Sequence, residues 1–512
     1  MISHWIISLP KNEYMSKRWR GFHRFFLLNR VTFFIMNEKK GKFMGKDKQL
    51  IKNTLILAIG MVLPKIFTVL TIPIYSSYLN VEEFGGVDYV TTIILGLVVP
   101  VLTLQLENGV FRYLIDAKNE EQKKRYISTG YFLVLLLSLM AMVVMYFIPI
   151  SGLNTPMLRI VLSVYVGIET LILFFRNVVR GLGKNAQYAL NSIISVVVNF
   201  IMMVITMMVL KAGVNGYMLS LLVPDIVALA YLIWHEKLHR YIRLRYFDQE
   251  YLGKLLRYSL PLIPNAISWF VINFSDKVII VAILGQAAQG IYATAYKIPN
   301  MFNMFYQAFN LAWTESASRN ANKNGLDKYY SRMFAQLFKL LSGGLLLLIA
   351  FSPFVFKVLV RGASYFEAIN YMPLLIVSTY LSCIAAFYGS VYVVCKESKK
   401  AGVTSFIAAV VNLVVHFALI TWLGLHAAVI STFVSFLVLT LYRAYDINKH
   451  YYKIKYNYRL IVFVTIMTIL LICLYYVDNL YVMLLGMLLS VLVAWFINQK
   501  LIKQILRRLI HR

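Results

Sequence analysis

Apolar runs of 17 to 28 residues recur along this chain from residue 51 to residue 499, separated by polar gaps. Each is too long for a strand and long enough for a helix to cross a bilayer core roughly 30 Å thick. Fourteen runs are read, at 51–78, 88–111, 128–150, 156–176, 187–210, 216–235, 257–284, 289–316, 333–358, 370–394, 402–422, 427–443, 460–477 and 480–499. In hydrocarbon every backbone polar group needs an internal partner, so continuous apolar runs predict helices. The odd-numbered gaps are short: Leu79–Val87, Pro149–Thr155, Lys211–Asn215, Gly285–Ala288, Leu359–Ala368, Gly424–Ala427 and Val477–Asn479. The even-numbered gaps are longer and basic, as in Glu236–Arg257 with Lys237, Arg240, Arg243, Arg245 and Lys254. The expected fold is an all-α integral membrane protein of about fourteen transmembrane helices.

Charge orients these helices. Of 51 Lys and Arg, 43 lie in the two termini, in the even gaps or at the run ends that border these, and Lys211 and Arg361 lie in odd gaps. The remaining six, Lys65, Arg159, Lys277, Lys297, Lys339 and Lys357, lie inside runs or at their ends. Cytoplasmic loops collect Lys and Arg, so both termini are expected in the cytoplasm. A formal charge of +29 suggests nucleic acid in a soluble protein. Here the basic residues flank spans, where topology and anionic headgroups account for them, and no basic soluble module exists to bind nucleic acid. With 60% hydrophobic residues and mean hydropathy +0.69, the partners expected first are membrane lipids. Cys383, Cys395 and Cys473 fall in apolar runs without paired spacing and read as small buried hydrophobes. No Walker motif, nucleotide-binding loop or metal-spaced His/Cys cluster appears, so neither cofactor nor metal is expected. Energy must come from an ion gradient, the membrane potential or substrate flux.

Internal repetition divides the chain. Val197-Val198-Asn199-Phe200 in the fifth run recurs as Val410-Val411-Asn412-Leu413 in the eleventh. The turns that follow also match, Gly213-Val214-Asn215-Gly216 against Gly424-Leu425-His426-Ala427. Six spans per half give both halves one orientation, a parallel repeat about an axis along the membrane normal, as in alternating-access transporters. The expected domains are a six-helix bundle at 46–240, a second at 250–446, an appended helix pair at 457–500 and a basic tail at 501–512. Residues 1–45 form a basic extension in which Trp19–Met36 mixes Arg20, Arg24 and Arg30 with Phe25, Phe26, Phe33 and Phe34. It reads either as an interfacial amphipathic helix or as sequence upstream of a true start at Met36 or Met44, and the later start is favoured.

Charges within a bilayer are expensive unless they face a wet cavity or a partner. Arg159, Lys339 and Lys357, near span ends, read as snorkelling residues. Lys65, Lys277 and Lys297 lie deeper and are the cations to explain, while Asp276 could neutralise Lys277 locally. Glu107, Glu169, Asp225 and Asp276 supply acids and His416 a further titratable group, candidates for coupling to protons or sodium. In the eighth run Tyr292, Tyr296, Asn300, Asn303, Gln307, Asn310 and Thr314 recur three or four residues apart, one polar stripe along a helix. The seventh run repeats this with Asn265, Trp269, Asn273 and Asp276. Such stripes either glue helices together or line a cavity, and their length favours the cavity. Asn199, Asn412 and His416 either join that lining or make single packing bonds. Pro64, Pro73, Pro100, Pro261 and Pro264 interrupt the first, second and seventh runs, where they kink helices and free carbonyls.

These residues resemble a known family. Leu63-Pro64-Lys65, Ile72-Pro73-Ile74-Tyr75 and Leu79-Asn80-Val81-Glu82-Glu83-Phe84-Gly85-Gly86 resemble the first hairpin of bacterial polysaccharide-unit flippases of the O-antigen, lipid-linked oligosaccharide type. So does Leu102-Thr103-Leu104-Gln105-Leu106-Glu107-Asn108-Gly109, running on to Arg112-Tyr113. Leu260-Pro261-Leu262-Ile263-Pro264-Asn265, Ser275-Asp276-Lys277, Gly290-Ile291-Tyr292 and Ala312-Trp313 are similar to that family's seventh and eighth helices. The resemblance covers residues 45 to about 500 and implies membership of the multidrug/oligosaccharidyl-lipid/polysaccharide exporter superfamily. It implies a two-bundle transporter with a cationic central cavity in the bacterial plasma membrane, working beside polysaccharide polymerase machinery. The implied cargo is a polyprenyl-pyrophosphate-linked oligosaccharide carried from the inner to the outer leaflet. Lys65, Lys277 and Lys297 would then meet the pyrophosphate, and Asn265, Trp269, Asn273, Tyr292, Tyr296, Asn300, Asn303 and Gln307 the glycan. The family's cavity cations are often Arg; Lys keeps the charge but loses bidentate geometry. A multidrug antiporter of the same superfamily is the nearest alternative. A membrane glycan polymerase or ligase is more distant, because the outer loops are too short for a reaction site, so no enzyme is expected.

Overall fold

The computed structural model describes residues 67–149, 155–320, 326–395, 397–477 and 479–510, and among these every regular element is helical. The chain divides into a unit spanning Ile56–Gln499 and a second made of Met1–Leu55 and Lys500–Arg512. Twelve helical segments among the described residues are long and apolar enough to cross a membrane, Asn273–Asn303 counting as one although it is broken at Gly285, and all twelve lie in the first unit. Most of the first expected span, with Pro64 and Lys65, lies outside the described residues, as does the extension at 1–45.

The first bundle opens with α1 (Ile72–Tyr78), whose Pro73 sits in the first turn, where a missing N–H loses no helical bond. A helix, not a loop, follows. Asn80 caps α2 (Val81–Leu102) by accepting from Glu83 N at 2.8 Å, while the Glu83 carboxylate accepts from Asn80 N at 2.9 Å. This reciprocal box starts the helix inside the expected loop Leu79–Val87 and corrects that boundary. Asn80→Ala should lower stability by about 1 kcal/mol, read as a reduced thermal midpoint in detergent. Further along, Pro100 removes a donor, and the chain adopts a π-helical turn over Ile94–Val98 just before it. Leu104 and Gln105 then take left-handed backbone, φ 52° and 58°, before α3 (Leu106–Asp116). Gln105 Nε2 donates to the Pro100 carbonyl at 2.9 Å, using an acceptor that the break exposes.

Helices α4 (Glu120–Phe147), α5 (Pro156–Gly181), α6 (Asn185–Val209) and α7 (Gly213–His235) complete this bundle; α5 packs on α4 and α7, and α6 on α7. The expected loop Glu236–Arg257 is also partly helical. It holds α8 (Gln249–Ser259), capped by Asp248, which turns Leu255 and Ser259 against α3 and α4.

Ile263–Asn320 is helical except at Gly285, where φ 87° and ψ 178° break the helix. Tyr292 Oη lies 3.4 Å from Asp276, although a straight helix would hold residues sixteen apart about 24 Å away. The segment is therefore a hairpin of α9 (263–284) and α10 (286–320), and the expected gap Gly285–Ala288 shrinks to one glycine. Only glycine takes that φ without strain. Next come α11 (Leu326–Leu359), a 3₁₀ stretch (Ala363–Tyr371), α12 (Met372–Val394), α13 (Ser398–Leu423) and α14 (Leu425–His450). Here α13 packs on α14 as α6 does on α7. The appended pair is α15 (Tyr458–Tyr475), which packs on α11, and α16 (Leu480–Ile510), whose Asn498 donates to Lys339 O at 3.0 Å. Cys383 is buried as expected, but Cys473 is exposed on α15; an apolar surface facing lipid keeps even a small hydrophobe from needing burial.

Candidate functional site

The two bundles meet where α2 runs along the α9–α10 hairpin. Glycines make that meeting close. A Cβ on Gly85 would strike the Gln286 carbonyl oxygen, and one on Gly290 would strike the Val81 carbonyl oxygen. Small residues let helix backbones approach where no hydrophobic force operates between them. Farther along α2, Gly96 leaves space for Phe270 and Phe274 of α9. The antiparallel course pairs residues 81–96 of α2 with residues 290–270 of the hairpin.

A polar cluster sits inside this seam. Lys277 Nζ lies 2.6 Å from Asp88 Oδ2 and donates to Thr92 Oγ1 at 2.9 Å, so an α9 cation is held by an α2 acid. Gln289 Nε2 donates to the same Asp88 oxygen at 2.9 Å. Two helical turns past Gln289, α10 presents Lys297 to an aromatic pair. Its Nζ is 5.6 Å from the Phe84 ring and 6.0 Å from the Tyr75 ring, which stack 4.1 Å apart. Rings hold a cation there weakly but without neutralising it. Asp88 also attracts Lys297, which makes no ion-pair contact among the described residues. The cluster thus sets two ammonium groups against one carboxylate.

Asp276, although adjacent to Lys277, faces elsewhere. Successive helix positions differ by about 100°, so neighbours point to different surroundings. Asp276 Oδ1 lies 3.0 Å from His416 Nδ1 of α13, and Asp276 Oδ2 accepts from Thr432 Oγ1 of α14 at 3.0 Å and from Tyr292 Oη at 3.4 Å. His416 is fully buried, and its Nε2 finds no hydrogen-bond partner among the described residues. Local neutralisation of Lys277 by Asp276 is thus replaced by two separate pairings.

The first bundle has a polar network of its own. Arg176 of α5 lies 3.4 Å from Asp225 of α7 and donates to Asn191 at 3.0 Å and Ser195 at 2.8 Å on α6. Glu169, two helical turns earlier on α5, lies against Asp225 and Tyr165. Glu107 stands apart just after the α2–α3 break; it is 3% exposed, accepts from Asn108 Nδ2 at 3.1 Å and makes no ion pair among the described residues. In the second bundle Arg443 is 5% exposed and ties three helices together. It donates to Ala385 O of α12 at 2.8 Å and, on α13, to Ala401 O, Thr404 Oγ1 and Ser405 Oγ at 2.9–3.0 Å.

A family model described as "Polysaccharide biosynthesis protein" matches residues 50–314, just over half of the chain. The chain belongs to the polysaccharide biosynthesis protein family. No curated protein matches it in sequence. Among solved structures, the chain is similar to an inward-facing multidrug resistance MATE family transporter of the MOP superfamily, with TM-score 0.62 and 18% identity over 77% of this chain and 98% of that one. It is also similar to a MATE protein in complex with MaL6, with TM-score 0.55 and 18% identity over 82% and 99% of the two chains. A MOP superfamily transporter from Pyrococcus furiosus, reported with reversed binding-pocket polarity, matches with TM-score 0.55 and 17% identity over 80% and 99%. These matches place this polysaccharide biosynthesis protein in the MATE-like fold, and its twelve long apolar helical segments among the described residues are those of a multi-pass membrane protein.

Within this family member the candidate residues separate into groups. Lys277 and Lys297 come together at the seam, while Lys65 lies outside the described residues. On α9, Asn265 and Trp269 are exposed, and Asn273 is exposed but spends its amide on the Trp269 carbonyl at 2.7 Å. The stripe on α10 divides. Tyr292 is buried against Asp276 and Tyr296 beside it, Asn300 is exposed, and Asn303 accepts from Cys383 Sγ of α12. The side chain of Gln307 lies outside the described ones. Asn199 donates to Ser220 O of α7 at 2.6 Å, a packing bond between helices. Sequence reasoning misses Asp88, which sits at the edge of an expected loop. It also assigns Arg176 and Arg443, at the ends of apolar runs, to the topology-setting residues, whereas both are enclosed by partners within the bundles. The available signal is an acid and hydroxylated residues, Asp88, Thr91 and Thr92, at the start of a span, but it needs the helix register to be recognised.

Proposed function

We propose that this chain is a flippase that moves a polyprenyl-pyrophosphate-linked oligosaccharide from the inner to the outer leaflet of the bacterial plasma membrane by alternating access. The observation that carries the reading is the seam between bundles, where Lys277 pairs with Asp88 and Lys297 stands over the Phe84 and Tyr75 rings with no ion-pair contact among the described residues. A pyrophosphate brings two negative charges and several acceptor oxygens, enough to compete with Asp88 for Lys277 and to engage Lys297. Binding would then release the α2–α9 ion pair, linking the arrival of cargo to separation of the bundles. Exposed Asn265, Trp269 and Asn300 offer hydrogen bonds and a stacking face for sugar rings. No covalent bond is made or broken in this scheme. The alternative of multidrug export has support from fold alone, and two lysines at the seam would repel a cationic cargo.

The coupling ion in this reading is a proton, carried by Asp276 with His416, Thr432 and Tyr292. A carboxylate and an imidazole 3.0 Å apart are positioned to hand a proton between them. Glu169 with Asp225 would be a secondary coupling pair in the first bundle. Asp276→Asn should leave cargo binding within about two-fold and abolish the response of transport to an imposed pH gradient, because Asn keeps the hydrogen bonds but cannot titrate. Transport that still follows the gradient would remove Asp276 from the scheme.

The whole proposal is tested with purified protein in proteoliposomes holding a fluorescent polyprenyl-pyrophosphate oligosaccharide. Movement between leaflets is followed as loss of access to an externally added lectin. Faster exchange than in protein-free vesicles is expected. No acceleration, with a cationic dye being moved instead, would favour drug export.

A further inference from the structure

We infer that the cleft between the ends of α14 and α15 binds the headgroup of an anionic phospholipid from the inner leaflet. The inference depends on the membrane placement of these helices and not on the cargo. The cleft is open to the surroundings and holds about 580 Å³. By the charge pattern it opens on the cytoplasmic face, at headgroup depth.

Its polar lining is built to donate. Asn448 is saturated, with Nδ2 donating to Ala444 O and Tyr456 Oη and Oδ1 accepting from Ile454 N. Tyr456 Oη accepts from Asn448 and from Tyr388 Oη, which leaves its own hydroxyl proton for an incoming acceptor. Lys455 lines the cleft and is exposed. Lys449 donates to Tyr445 Oη at 3.0 Å, so a second ammonium stands at the rim. Lys453 and Arg459 lie within the same stretch of chain. The nearby carboxylates are engaged elsewhere: Asp446 accepts from Tyr392 Oη and faces His450, and Asp327 accepts from Lys453 N. The lining therefore carries positive charge and hydroxyl donors and no acid, which suits a phosphodiester.

The walls point to a lipid as the carrier of that phosphate. Tyr445 and Tyr458 flank the cleft and are 61% and 70% exposed, the placement of interfacial aromatics. From Tyr458, positions Val462 and Ile466 follow at spacing four along one face of α15, and Leu441 lies one turn before Tyr445 on α14. All three are exposed apolar residues, so apolar surface for an acyl chain continues from the polar cleft along both helices.

The test uses full-length protein exchanged from mixed micelles of phosphatidylglycerol and phosphatidylcholine, with retained lipids counted by native mass spectrometry. Wild type should retain phosphatidylglycerol preferentially. The Lys455→Gln, Tyr458→Ala variant should lose about five-fold of that preference, the expected share of one lysine near an anionic surface. Arg240→Gln, which removes one charge from another cytoplasmic loop, should leave it unchanged. Tyr456→Phe keeps the ring and the fold, and should lose about three-fold through the missing hydroxyl bond. An equal fall in Arg240→Gln, or no fall in either cleft variant, would overturn the assignment. So would displacement of phosphatidylglycerol by millimolar inorganic phosphate, which would mark an anion site that needs no lipid chain.

Discussion

Replacing Lys277 and Lys297 together by alanine should reduce cargo export at least about 100-fold while the protein still inserts in normal amount. Two unit charges 4 Å apart interact by about 4 kcal/mol at an effective dielectric of 20, and a pyrophosphate offers two charges. If desolvation cancels half of each attraction, about 2 kcal/mol per lysine remains, and two such losses exceed 100-fold. The single variants should differ in kind. Lys297→Ala removes a cation held by the Phe84 and Tyr75 rings, so cargo affinity should fall with the bundles undisturbed. Lys277→Ala also strands Asp88, which sits 2.6 Å from it with 16% of its side chain exposed, so it should loosen the seam as well. Asp88→Asn added to Lys277→Ala should restore stability but not export, a coupling that separates the two roles of the pair. The readouts are surface polysaccharide in a strain that depends on this chain, proteoliposome exchange, and protein level in the membrane. Undiminished export by the double variant would refute the cargo assignment.

Gly290→Val should separate α2 from α10 without unfolding either bundle. The new Cβ would press on the Val81 carbonyl oxygen, a backbone atom that no rotamer change can move. Overpacking of this kind costs on the order of 3 kcal/mol, which shifts a two-state equilibrium by about 100-fold. Because the contact joins two bundles, separation relieves it at less expense than local unfolding. Spin labels at Glu82 and Ala287, both exposed and close to the crossing, should report a longer distance in the variant, in a background lacking Cys383, Cys395 and Cys473. Gly253→Val is the comparison, since nothing lies within 4 Å of a Cβ there. An unchanged label distance together with normal transport would mean that the glycine crossing does not set the conformational balance.

Much of the membrane architecture was legible along the chain. Length and apolarity alone located every crossing helix among the described residues, because hydrocarbon admits no other unbroken backbone. Helix ends were less legible. Asn80 with Glu83 starts α2 within an expected loop, and one glycine replaced the four-residue gap before α10. Both devices are local and polar, so a count of apolar residues passes over them.

The intramembrane charges divide along the same line. Sequence by itself determined that Lys277, Lys297, Glu169, Asp225, Asp276 and His416 stand where water is scarce, since their neighbours along the chain are apolar. It could not determine their partners. Asp276 and Lys277 are adjacent in the chain, yet the turn of one helix sends the first to His416 in its own bundle and the second to Asp88 in the other. Arg176 and Arg443 read as ends of spans until the packing enclosed them among Asn191, Ser195 and Asp225 and among the carbonyls of α12 and α13. Hydropathy is a property of a segment, and it located the segments long and apolar enough to cross a membrane. Pairing is a property of two surfaces meeting at hydrogen-bond distance, about 3 Å, and only the tertiary structure decided it.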